Sequence, residues 1–368
     1  PETRNPNARK LDFAGLSISV IGLVLLVYGI IHASETKDWL ALAVLLPIIG
    51  GLLVIALFLV LEARSDHSSF DVSLFRNRGY AVSLVAVSLS FFALSGLTFS
   101  LPFYLQILRG YSTLVAGLCF VPFAVGQLLA APRSAKMVLR FGYRKVMTTG
   151  LVLVTIALIG LSQLQLDSPL WFLLTVFFVF GFGMGNVIAP GSTVMQNVLP
   201  LARVGAGSAV QNTVRQVFGA LGVAIIGTIL ATQYASNVAP VLDTLPPAFP
   251  DAGKEAASES IIATVAVLGQ ASAEGLPAST VASVQAGAFD AFLSATHVTS
   301  IISLVVVGIA AIIVGFFLPH ISPPTAAMER GLGPKPVDPA DELIHDETES
   351  YGREVDAEYV EKPGPADA

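Results

Sequence analysis

The chain has 368 residues, 54% of them hydrophobic and only 12% charged, with a formal net charge of −6 and a mean hydropathy of +0.74. A soluble globular domain carries about twice that share of charge, so that class is excluded. Twelve of the 26 Asp and Glu fall in the last 40 residues, so the net charge describes a tail, and no basic stripe interleaved with aromatics points to nucleic acid.

Crossing a bilayer takes roughly 20 helical residues. In chain order, the apolar runs that meet this length are 12–32, 40–61, 80–105, 113–131, 146–164, 169–190, 205–231 and 295–318. They are continuously apolar with no period-two alternation, which predicts helices rather than barrel strands. The expected fold class is therefore all-α and integral to the membrane, with eight transmembrane helices. The first run is too long for a signal peptide and is followed by seven more. A single cysteine, Cys119, leaves no intramolecular disulfide.

Residues 1–11 read as a lead-in, 12–62 as a pair of helices, 63–79 as a loop and 80–318 as six further helices. Lys and Arg mark cytoplasmic loops. With the N-terminus inside, sixteen of the 20 fall on the cytoplasmic side and only Lys37, Arg109 and Lys254 outside, with Arg215 left in the membrane. The expectation is a multi-pass protein of the cell (plasma) membrane with both chain ends cytoplasmic.

Along the third run, Phe91, Phe92, Tyr104 and Gln106 are candidates to line an apolar pocket, or to pack against lipid and neighbouring helices. The loop 131–146 places Gly142 among Arg140, Arg144 and Lys145, which suits a tight turn between two helices at the inner surface. Those cations read either as a topological anchor or as an inner gate that pairs with acids in one transport state. The sixth run, Gly181-Phe182-Gly183-Met184-Gly185-Asn186 and then Ala189-Pro190-Gly191, reads as a thinned helix with a bend beside a cavity, or as one selected for close packing.

On the seventh run, Ser208, Gln211, Asn212 and Arg215 are spaced i, i+3, i+4, i+7 and share one helix face, which continues through Gly219 and Gly222. Arg215 lies roughly 15 Å deep at 1.5 Å per residue. An arginine there costs at least ~2.5 kcal/mol on insertion scales and calls for a partner. No Asp or Glu is found at that depth, so backbone, water, substrate or other helices are the options. The face reads either as interhelical glue or as a cavity wall. Segment 232–294 reads as an unstructured extracytoplasmic loop, with a surface helix over 254–270 as the alternative. Asp290 and His297, seven apart, read as a helix start and an interfacial polar residue rather than a proton site. The Pro- and acid-rich tail, 319–368, is too polar to bury a core and is expected to be disordered.

No enzyme is expected. His32, His67, His297, His320 and His345 are scattered, with no HExxH pair and no Cys/His spacing for a metal. No phosphate loop supplies an ATP motor, and no cofactor is called for.

The stretch Leu101-Pro102-Phe103-Tyr104-Leu105-Gln106, followed by Arg109-Gly110-Tyr111-Ser112, Ala116-Gly117-Leu118 and Val121-Pro122, resembles the junction of spans nine and ten in fourteen-span drug:proton antiporters of the major facilitator superfamily. Phe75-Arg76-Asn77-Arg78, Gly181 to Pro190, and Gly205 to Gly227 with Asn212, Arg215, Gly219 and Gly222 resemble further parts of the same half. The loop at 131–146 resembles the second copy of the inner-loop signature, but Ala135 and Leu139 stand at its usual first glycine and acid.

This resemblance implies that the first two runs are the extra central helices, that the six from residue 80 form the C-terminal bundle, and that the N-terminal half is absent. It implies proton-driven export of hydrophobic, often cationic, small molecules by alternating access. Gln211, Asn212, Arg215, Asn186 and Ser208 would line the cavity, and Arg140, Gly142, Arg144 and Lys145 would form the inner gate. The partners implied are the substrates, protons, the lipid bilayer and the missing half. The alternatives are a lipid or metabolite exporter of the same fold, or a non-transporting membrane sensor or scaffold.

Overall fold

The computed structural model describes residues 13–36, 40–64, 72–199, 201–247 and 249–321. The elements are α1 (Phe13–Thr36), α2 (Leu42–Arg64), a 3-10 turn (Val72–Arg76), α3 (Arg78–Phe103), α4 (Thr113–Leu118), α5 (Val121–Leu161), α6 (Leu170–Asn197), α7 (Leu201–Leu242), α8 (Asp251–Glu259), α9 (Ile261–Ala273) and α10 (Ala278–Phe317). No strand occurs among the described residues, and the fold is all-α. Asn77 starts α3 by accepting from the backbone N–H of Gly79 and Tyr80, and α3 runs on into a π turn, Tyr104–Leu108.

Among the described residues, five segments are long and apolar enough to cross a bilayer: Arg78–Leu108, Thr113–Leu161, Leu170–Asn197, Val204–Leu242 and Ala278–Phe317. The second of these reverses direction. Gly142 has φ 81° and ψ 159° and divides α5 into two arms. The first arm runs parallel to α6, because Phe123 meets Gly181 and Ala130 meets Gly185; the second runs antiparallel, because Gly150 meets Gly183 and Gly160 meets Val176. Helix α6 lies between the arms and turns Gly181 and Gly185 to one and Gly183 to the other. That two-sided approach accounts for glycine at alternate positions. α1 and α2 form an antiparallel hairpin, with Gly22 against Ile55 and Gly29 against Ile48. Thr228 of α7 ties this hairpin to the rest by donating to the Ile30 carbonyl at 3.1 Å.

α3 packs against α6, α7 and α10, and α10 also packs against α5. The interior is apolar, with Tyr80, Leu84, Met147, Leu151, Phe177 and Phe180 fully buried. The outward faces are apolar too: Leu46, Leu53, Ile156, Ile312 and Phe316 are all exposed. Such a surface is an interface for lipid rather than water.

Segment 232–294 corrects the expectation of an unstructured loop. α7 continues to Leu242, α10 begins at Ala278, and α8 and α9 fill the interval. Ser260, extended at φ −162° and ψ 158°, ends α8 and caps α9 by accepting from the Ala263 N–H, so the surface-helix alternative over 254–270 is two helices. The segment folds because its apolar residues recur at helical spacing and bury one another: Val238, Leu242, Ala257, Ile261, Leu268, Val284, Ala288 and Phe292 are all in the core. Its Ala, Ser and Pro content suggests a loop, but two of its prolines start helices, Pro250 before α8 and Pro277 before α10, and Pro240 is held inside α7. The lead-in 1–11 and the tail beyond Ile321 lie outside the described residues.

Candidate functional site

The polar face of α7 does not act as one group. Ser208 is half-buried and Asn212 is exposed. Gln211, 7% exposed, donates from Nε2 to Ser192 Oγ on α6 at 2.7 Å. Arg215, one turn further, places its guanidinium carbon 4.9 Å from the centre of the Phe91 ring on α3. Among the described residues it has no ion pair, so the quadrupole of that ring is what faces the charge. The partner was legible as a position, since Phe91 was a pocket candidate, but not as a pair.

Asn186 stands apart from this face. It is 2% exposed and lies against Gly150 in the seam between α5 and α6, donating to the Phe182 carbonyl at 2.9 Å. Its Oδ1 has no hydrogen-bond partner, a cost of about 1–3 kcal/mol for a buried acceptor.

A cavity of about 210 Å³ opens between α3, α5 and α6, lined by Leu94, Leu97, Thr98, Phe120, Phe123, Phe177 and Phe180. Phe120 stacks on Phe177 at 5.3 Å between centroids, and Phe123 meets Phe180 at 5.8 Å. Phe91, Leu94 and Thr98 are spaced i, i+3, i+7, so the Arg215 contact and the cavity share one face of α3. The other expected pocket residues, on α3 and the π turn that follows it, lie elsewhere. Phe92 packs with its carbonyl against Gly222, Tyr104 donates to the Gln165 carbonyl at 2.8 Å, and Gln106 accepts from Thr113.

At the Gly142 turn, Arg140, Arg144 and Lys145 are exposed. The Arg140 guanidinium lies over Phe141 at 5.2 Å. Arg144 donates to the Gly315 carbonyl in the last turn of α10, where unpaired carbonyls and the helix dipole favour a cation. This contact is with backbone rather than with an acid.

At the opposite end of the bundle, three side chains grip the turn 162–169 between α5 and α6. Arg109 donates to the carbonyls of Leu166 at 2.6 Å and Ser168 at 2.8 Å, Tyr104 to that of Gln165, and His297 Nε2 lies 2.6 Å from the Leu164 oxygen. Burial alone would lower the Arg109 pKa. Its hydrogen bond to Tyr111 and its interactions with Tyr104 outweigh this and raise it, so the fork stays cationic. The resemblance pointed to Arg109 as a motif residue without assigning it this clamp. His297 does not meet Asp290, which is exposed.

The sequence model of the Major Facilitator Superfamily matches residues 12–223. Over 260 residues the chain is 31% identical to "Uncharacterized MFS-type transporter YhcA" of Bacillus subtilis, covering 70% of this chain and 49% of that protein. It is 30% identical over 316 residues to "Multidrug efflux pump LfrA" of Mycolicibacterium smegmatis, covering 86% and 60%. It is 27% identical over 246 residues to "Multidrug resistance protein Stp" of Mycobacterium tuberculosis, covering 67% and 45%. The chain thus spans about half the length of the curated relatives it matches.

Proposed function

This chain belongs to the Major Facilitator Superfamily and is a multi-pass membrane protein, and from that premise we propose that it forms the second half of a fourteen-span, proton-coupled exporter of hydrophobic, often cationic, small molecules. In this reading α1 and α2 are the extra central pair and the helices from α3 on form the C-terminal bundle. Substrate lies between this bundle and its N-terminal counterpart, which also supplies the proton-coupling carboxylate.

The observation that carries the reading is the aromatic cavity on the α3 face that also bears Phe91, the ring that meets Arg215 of α7. Four phenylalanine rings and no charged lining suit flat apolar molecules. The Phe91 ring covers the Arg215 charge from within, which lessens its repulsion of a cationic substrate. The cationic Gly142 turn lies on the cytoplasmic side by the excess of Arg and Lys there, and Arg144 on the end of α10 latches it shut in one state. Two relatives carry multidrug names, which supports the same substrate class.

A second reading is favoured by one observation: Arg215 has no carboxylate partner among the described residues. An anionic metabolite or lipid headgroup would draw the guanidinium off the Phe91 ring and become its counter-ion.

One experiment tests both. Cells producing the full-length protein are loaded with a lipophilic cation or an anionic dye, and efflux is followed with and without a proton gradient, at matched membrane levels. The expected result is gradient-dependent cation efflux that falls several-fold in Phe120→Ala. Cation efflux unchanged in Phe120→Ala, or independent of the gradient, overturns the first reading; loss of anion efflux in Arg215→Gln establishes the second.

A further inference from the structure

At the end of the bundle opposite the Gly142 turn, α8 and α9 meet at a corner, with α8 packed on α7 and α9 on α10. Ala257 and Ile261, on either side of the corner, are both buried and hold it in place. Beneath it is a separate cavity of about 90 Å³ whose lining includes Phe99, Phe103, Tyr234, Phe292, Glu259 and Ser260. The four rings form a continuous chain: Phe99 to Phe103 at 5.6 Å, Phe103 to Phe292 at 6.3 Å, and Phe292 to Tyr234 at 6.2 Å between centroids. The cavity contains none of the residues placed in the transport reading above.

We propose that this corner is a second binding site, for the head of a quaternary or delocalised organic cation, caged by Phe99, Phe103, Tyr234 and Phe292 and neutralised by the Glu259 carboxylate.

The charge argues for a cation. Glu259 is the last residue of α8, where the negative end of the helix dipole disfavours a carboxylate. Glu255, four residues earlier and exposed, shares that helix face and adds like charge. No lysine, arginine or histidine pairs with Glu259 among the described residues. A bound cation relieves both unfavourable terms, whereas a neutral apolar guest relieves neither.

The lining selects the kind of cation. The Ser260 hydroxyl is occupied in accepting from the Ala263 N–H, and the Tyr234 hydroxyl shares a hydrogen bond with Thr264. Each of these hydroxyls thus has part of its hydrogen-bonding capacity committed, which leaves few acceptors beside the carboxylate. A primary ammonium or a metal ion would lose its hydration shell with too few acceptors to replace it. A tetraalkylammonium is weakly hydrated and gains from ring faces within about 6 Å. The volume is far below the roughly 300 Å³ of a drug-sized pocket, so the head alone enters and the rest of the molecule leaves past the exposed Glu259.

The test is equilibrium binding of phenyltrimethylammonium to the full chain in lipid nanodiscs, beside its uncharged isostere tert-butylbenzene. The expected result is saturable binding of the cation, weaker binding of the isostere, and a loss of about tenfold in cation affinity in Glu259→Gln. Phe103→Leu weakens binding in the same direction, and Glu255→Gln changes it by less than Glu259→Gln. Glu259 is exposed, so its neutral form leaves the fold intact, which is checked by unchanged thermal unfolding. Cation binding at full strength in Glu259→Gln, or equal binding of the isostere, overturns the site. The assay reads binding without transport, so its outcome is separate from that of the efflux experiment.

Discussion

The Arg215 guanidinium carbon on α7 lies 4.9 Å from the centre of the Phe91 ring on α3, joining the charged centre of one helix to an aromatic face of the next. A desolvated cation–π contact is worth about 2 kcal/mol. That is comparable to the smallest insertion penalty of an arginine at mid-membrane, so this one ring offsets much of the cost.

On the export proposed above, Phe91→Leu, which keeps the bulk and removes the quadrupole, lowers efflux by the full-length protein about threefold to tenfold, while Phe91→Trp retains it. The readout is initial efflux rate per transporter in the membrane. Wild-type rates in Phe91→Leu at normal membrane levels would show that the ring is not what balances Arg215.

The glycine seams give a second expectation. A Cβ at Gly181 overlaps the Phe123 carbonyl oxygen and one at Gly222 overlaps the Phe92 carbonyl oxygen, whereas one at Gly308 meets nothing within 4 Å. Backbone cannot step aside as a flexible side chain can. Gly181→Ala and Gly222→Ala each destabilise by about 1–3 kcal/mol, as overpacking does, and Gly308→Ala is tolerated. Thermal unfolding in detergent compares the three; equal midpoints refute the close approach.

Gly142 gives a third, with a different cause. Its Cβ would meet nothing within 4 Å, so any penalty lies in the backbone alone. The pair φ 81°, ψ 159° falls in a region that only glycine enters readily, not in the left-handed helical region that asparagine tolerates. Gly142→Asn is therefore as damaging as Gly142→Ala, each by about 1–3 kcal/mol. If Gly142→Asn unfolds with the wild type while Gly142→Ala does not, the turn has the other conformation.

Much of this protein follows from the sequence alone, because a bilayer reads hydrophobicity along the chain. Runs of apolar residues, a cationic turn at Gly142 and glycine at 181, 183 and 185 are local statements, and each sets a helix, a reversal or a close approach with little reference to distant residues. Arg215 was likewise legible as an anomaly needing a partner. Only the tertiary structure decided which partner: Phe91 is 124 positions away, and its ring was one aromatic among several until α3 and α7 packed in parallel. Segment 232–294 was misread for a related reason. Between α7 and α10 it holds α8, which is polar, and α9, which is apolar but only 13 residues long, and the segment is stable through burying Val238, Ile261, Leu268 and Phe292. Composition along the chain carries no sign of such mutual burial. The same packing brings Glu259 to the aromatic rings of three other helices, a neighbourhood that exists only in three dimensions.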